Sequence, residues 1–199
     1  MLRLCNPYVA GPDASGGDDL RGRRQHDRAP ETVMKTLVLG LGNPILSDDG
    51  VGVRVAEAVR ASLPPDVPID VCELSVGGLR LMEHMLGYER VILIDAVQPG
   101  DAEPGTFRRL SYAELACLGP TQHMTCTHDT SLVTALEMAQ RMALPVPREI
   151  IVYAIGVQDV ESFGEDLTPA VARALPRILE AVLQELNIST QKEETHGLT

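Results

Sequence analysis

The sequence has no tryptophan and only two phenylalanines among 199 residues, so it lacks the aromatic platforms on which single-stranded nucleic acids stack. It is also short of positive charge: 17 Lys and Arg against 28 Asp and Glu give a formal charge of −11. No basic face is left to displace counterions from phosphates, which argues against any nucleic-acid partner. Nowhere do 18 apolar residues run together, so no membrane-spanning helix is expected. Arg23 and Arg24 are not followed by the apolar stretch of a secretory or twin-arginine signal, and the expectation is a cytoplasmic protein. The cysteines, Cys5, Cys72, Cys117 and Cys126, contain no C-x-x-C pair. They read as buried or idle thiols in a reducing compartment.

What is present is an ordinary globular composition, 44% hydrophobic and 23% charged, long enough for one core without metal or disulfide staples. Residues 1–33 balance five arginines against five acidic residues and show no periodicity, as a disordered extension would. Met34 directly precedes the first apolar strand and is a candidate start. Residues 34–187 are expected to form a single domain and residues 188–199 a flexible tail.

Within that domain short apolar runs alternate with longer amphipathic ones, the pattern of a sheet covered by helices on both faces. Strands are expected at Leu37–Leu41, Ile69–Leu74, Val91–Ala96 and Glu149–Val157, with a shorter edge strand at Thr106–Leu110. A helix from about Asp49 to Ser62 places Val51, Val55 and Val59 on one stripe. A second turns Leu79, Met82, Met85 and Leu86 inward and ends at Gly87. A third, from about Asp129 to Ala143, buries Leu132, Leu136, Ala139 and Met142. The last starts with Thr168 as N-cap and Pro169 in its first turn, buries Val171, Leu175, Leu179, Val182 and Leu186, and is expected to kink at Pro176. The fold class is α/β, a three-layer α/β/α arrangement around a twisted mixed, mostly parallel sheet.

Ligands of such sheets bind beyond the carboxyl ends of the strands. Three residues fall there: Asp49 after the first strand, Asp95 near the end of the central strand, and His128 just before a helix. Two carboxylates and an imidazole suit a divalent first-row metal; equally, the acidic residues would serve as helix caps or loop anchors and His128 as a surface group. Asp48 and Asp49 would be about 100° apart on a helix, so Asp48 is assigned to capping and Asp49 to function. His123 is the reserve imidazole, and Cys126-x-His128 is a weaker thiolate–imidazole candidate. Gly40-Leu41-Gly42-Asn43-Pro44-Ile45 opens like a dinucleotide fingerprint but lacks its third glycine. Its glycines fit a sharp turn that brings backbone close to the crevice.

The stretch from Leu37 to Arg54, with Gly40-Leu41-Gly42-Asn43-Pro44 and Asp48-Asp49-Gly50-Val51-Gly52-Val53, resembles the amino-terminal signature of the NiFe-hydrogenase maturation proteases. Val91-Ile92-Leu93-Ile94-Asp95-Ala96, Thr127-His128-Asp129 and Gly156-Val157 before a Leu-Thr-Pro-Ala helix extend the likeness over residues 34 to about 186. The resemblance implies an endopeptidase that removes a carboxyl-terminal tail from a hydrogenase large-subunit precursor after nickel insertion. It maps the metal-contacting and catalytic set onto Asp49, Asp95 and His128, with Gly42, Asn43, Gly77 and Gly78 in the loops that meet the substrate. Val76 stands where that family often has an Asp, so no carboxylate role is carried over there. The implied metal is nickel brought by the substrate, with no organic cofactor, and the implied protein is a monomer that docks transiently. No H-E-x-x-H helix, nucleophile elbow or serine or cysteine triad offers an alternative apparatus. A non-catalytic nickel-binding chaperone would need the same three residues. Gly40-Leu41-Gly42-Asn43-Pro44 also resembles the start of peptidyl-tRNA hydrolases, whose arginine-histidine-asparagine motif and basic surface are missing.

Overall fold

Leu37, Val38, Leu39 and Leu41 give one strand apolar side chains on both of its faces, and such a strand must be covered on both. The computed structural model, which describes residues 35–97, 102–117 and 132–188, places it accordingly: β1 (Thr36–Leu41) is buried at every position. Around it run β2 (Ile69–Leu74), β3 (Arg90–Val97), β4 (Phe107–Ser111) and β5 (Glu149–Gly156). The sheet order is β2-β1-β3-β5-β4. All neighbours are parallel except β4, which pairs antiparallel with β5 at the edge. The expected mixed, mostly parallel sheet is the one found.

Helices α1 (Val51–Ser62) and α5 (Pro169–Glu185) cover one face, burying Val51, Val55, Val59, Val171 and Ile178 against Val38, Ile92, Ile94 and Ile155. The other face carries α2 (Gly78–Met85), α3 (Tyr112–Cys117) and α4 (Leu132–Arg141), whose Met82, Met85, Leu115 and Leu136 pack on Leu37, Leu39, Leu93 and Val152. Among the described residues no helix is long and apolar enough to cross a membrane.

Several local expectations need correction. In α2 the buried stripe is Leu81, Met82 and Met85, while Leu79 is 43% exposed; it lies roughly 110° from the centre of that stripe. Met142 is exposed because α4 ends at Arg141 and the chain turns away through Ala143 at a φ of 54°. α5 buries Ala174, Ile178 and Leu183 rather than Leu175 and Leu179, which are half-buried, and it continues through an exposed Pro176. Cys72, buried on β2, is disulfide-bonded rather than an idle thiol, whereas Cys117 is free and exposed. α3 was not expected, yet its start is a reciprocal capping box. The Ser111 hydroxyl accepts from Glu114 N at 3.3 Å, and the Glu114 carboxylate accepts from Ser111 N at 2.7 Å. That bonding holds the Glu114 carboxyl below its ordinary range.

Candidate functional site at the carboxyl rim of the sheet

Leaving β1, the chain turns at Gly42 with a φ of +127°, a conformation open to glycine and strained for other residues. A Cβ there would also lie 1.8 Å from the carbonyl oxygen of Asp49. The turn is pinned to the end of β2: Gly42 N donates to Leu74 O at 3.1 Å, and the Ser75 hydroxyl donates to Gly42 O at 2.7 Å. Asn43 N then donates to the Asp49 carboxylate at 2.6 Å. Asp49 is 9% exposed and belongs to a 3-10 turn, Ser47–Gly50, that leads directly into α1.

Glycine also decides where α1 begins. A Cβ on Gly52 would come within 2.3 Å of both Leu41 O and Ile94 O, so the first turn of the helix rests on the backbones of β1 and β3. This close approach brings the Asp49 turn to the strand end that carries Asp95. In the β1–β3 register Gly40 faces Ile94, and Asp95 is the next residue. Asp95 is fully buried. Alternation along β3 sets it with Val91 and Leu93 on the face covered by α2 and α4. Gly77 and Gly78 lead from β2 into α2, Gly78 at a φ of +54°, and Gly77 lies two residues beyond the Ser75 that holds Gly42. Gly42, Asn43 and Asp49 are therefore joined directly, and the Gly77–Gly78 turn adjoins them through Ser75.

Asp48 has a different part. The sequence suggests that it caps its own helix, but the 3-10 turn has no side-chain cap. Its fully buried carboxylate instead reaches across to the β5–α5 connection. It accepts from Thr168 N at 2.7 Å, the Thr168 hydroxyl at 2.8 Å, Gln158 N at 3.0 Å and Asp159 N at 3.2 Å. Thr168 is the N-cap residue of α5 as expected, yet its hydroxyl serves Asp48 and makes no cap bond. Ser47, at an unusual φ of 45°, is tied to the same connection through Ser47 N to Gly164 O at 2.8 Å and its hydroxyl to Asp166 O at 3.1 Å. The 158–168 loop thus forms one wall of the rim. Its signal in the sequence was Asp159 two and three residues before Glu161 and Ser162, whose amides its side chain accepts at 3.0 Å each. The Ser162 bonds foremost, then that of Glu161, hold the Asp159 carboxyl below its usual range.

Two carboxylates of the expected triad therefore lie at one end of neighbouring strands. His128, with His123 and Cys126, lies outside the described residues. Among the described residues no three His, Cys, Asp or Glu side chains are grouped to hold a metal ion. Chemically, the rim offers hard oxygen donors in a water-poor setting beside the half-buried turns at Asn43 and Gly77.

Residues 53–185 match the family model of the hydrogenase maturation proteases. The Hydrogenase 2 maturation protease of Escherichia coli K12 is 29% identical over 157 residues, covering 78% of this chain and 93% of that protein. The hydrogenase expression/formation protein HupD of Rhizobium leguminosarum bv. viciae is 27% identical over 157 residues, covering 79% and 76%. Among solved structures, the hydrogenase maturating endopeptidase HybD from E. coli superposes with a TM-score of 0.67 at 26% identity, over 77% of this chain and 93% of that one.

Proposed function

This chain belongs to the hydrogenase maturation protease family, and from that premise we propose that it removes the carboxyl-terminal extension of a NiFe-hydrogenase large-subunit precursor once nickel is in place. Nickel carried by the precursor is the recognition element, gripped by Asp49, Asp95 and His128. The observation that supports this most is that buried Asp49 and buried Asp95 stand at the same end of the sheet, where Gly52 seats the start of α1 on the backbones of β1 and β3.

The carboxylates are suited to the work. Asp49 is oriented by Asn43 N, so it meets a cation with its geometry set beforehand, and Asp95 is fully buried on the central strand β3. A metal ion held there polarises a carbonyl or lowers the pKa of bound water. The chain's own residues fix the position of the precursor, exclude bulk water and hold carboxylates ready to accept a proton.

The experiment mixes the protein with nickel-loaded and nickel-free precursor and follows loss of the tail by mass. Cleavage of the loaded form alone is expected. Binding without any change of mass would identify an assembly chaperone instead. Asp49→Ala, Asp95→Ala and His128→Ala are each expected to abolish processing with the fold retained by circular dichroism. Normal processing by His128→Ala would move that role to His123.

A further inference from the structure

Of the two phenylalanines in the chain, one is placed where folding gains nothing from it: Phe163 is 85% exposed, the most exposed of the large apolar side chains described. Its loop is not loose. Glu161 N and Ser162 N donate to Asp159, Gln158 N and Asp159 N donate to Asp48, and Arg54 donates to Glu165 O. Gly164 N donates to Ile45 O at 3.0 Å and Gly164 O accepts from Ser47 N, a short parallel bridge between Leu46 and Gly164. That bridge sets Phe163 next to Ile45, itself 49% exposed, on the segment that runs on into Asp49. A phenyl ring on a fixed backbone loses little freedom when a partner covers it.

We infer that Phe163 and Ile45 form the anchor by which the precursor large subunit docks beside Asp49, an inference that rests on the function proposed above. The charge around the anchor specifies the surface it fits. Residues 161–166 are all exposed and include Glu161, Glu165 and Asp166. The complementary face is an apolar pocket ringed by lysine and arginine, which also suits a chain of net charge −11. Position joins the two functions: the loop that presents Phe163 and the turn that carries Asp49 are held together through Asp48 and Ser47, so docking at one fixes the approach to the other.

The test titrates nickel-loaded precursor into the full-length protein by calorimetry and measures processing in parallel. Phe163→Ala is expected to weaken binding and raise KM about tenfold, with kcat within twofold and the melting temperature unchanged. Phe163→Leu is expected to recover most of the affinity. Glu161→Lys combined with Glu165→Lys is expected to weaken binding further, and wild-type affinity to fall as salt rises. Unchanged affinity in Phe163→Ala, or a fall in kcat with KM unmoved, would overturn the docking role while the protease reading stands. Wild-type protein that binds through Phe163 and never cleaves would overturn the protease reading alone. Neither binding nor cleavage would sink both.

Discussion

Replacing Asp48 by alanine strands three backbone amides and a threonine hydroxyl in a fully buried position, a loss expected to be about 3 kcal/mol. Urea denaturation would read it as a lower midpoint, and hydrogen exchange as faster amides at Gln158, Asp159 and Thr168. Asp49→Asn should behave in the opposite manner, with stability within about 1 kcal/mol of the parent and processing gone. Gly42→Ala combines a φ of +127° with a Cβ 1.8 Å from Asp49 O, so it is expected to cost more than about 3 kcal/mol or to push Asp49 out of place. A soluble, fully active Gly42→Ala protein would refute that account of the turn. At this scale the sequence marked Asp48 as a structural acid, but as a cap of its own helix, whereas its carboxylate tethers the β5–α5 connection. It could not name Asp48's partner, because Thr168 is 120 positions away, and no periodicity reports a contact of that range.

Elements were legible where one physical rule dominates. Continuous aliphatic runs located β1, β3 and β5 to within about a residue, since burial on both faces leaves no other pattern; β2, an edge strand with Asp70 and Glu73 in it and Cys72 as its buried residue, was located by its alternation. Helix faces were less secure: Leu79 and Met142 are apolar but sit where a short helix begins or ends, and the last turn is decided by where the chain must go next. α3 carried its own signature, Ser111 followed by Glu114 three residues on, but its six residues are too few for a hydrophobic period to appear. At the β4 edge of the sheet, the cluster that ties Arg90 of β3 and Arg109 of β4 to the end of α5 provides a pH test. Glu185 accepts from Arg90 and Arg109, and Arg90 Nε lies a further 2.8 Å from Glu149, a close ion pair without an aligned hydrogen bond. The Arg109 bond is the largest influence holding the Glu185 carboxyl below its ordinary range. A carboxyl lowered by folding stabilises the native state above its unfolded pKa of about 4.3. That contribution fades as pH falls through the folded value. Glu185→Gln is therefore expected to lower stability by about 1 kcal/mol near neutrality, and the gap between variant and parent should close as pH drops below about 4. Guanidinium melts across pH 3 to 8 would show it; a gap that widens in acid would contradict it. Beside it, burial foremost and then the Glu185 charge push the Tyr153 hydroxyl up to about 12, so this edge gains no charge in mild alkali.

For the molecule as a whole, the described core residues run from Leu37 to Leu186. A chain started at Met34 is expected to melt within a few degrees of the full-length protein and to process precursor at the same rate; a large loss of either would give the first 33 residues a structural part. The layer order followed from alternating strands and helices, whereas the close seating of α1, and with it the Asp49 turn, on β1 and β3 did not. It depends on Gly52 letting a helix settle onto two strand backbones, a matter of a missing methyl group rather than of pattern. The adjacency of Asp48 and Asp49 carries one more consequence. They engage different partners across a single peptide unit, so inserting or deleting one residue between Leu46 and Gly50 would displace both, pulling the Asp48 tether from its amides and the Asp49 carboxylate from Asn43. Length in this short span is therefore as constrained as chemistry, and variation in loop size has to be absorbed elsewhere along the polypeptide.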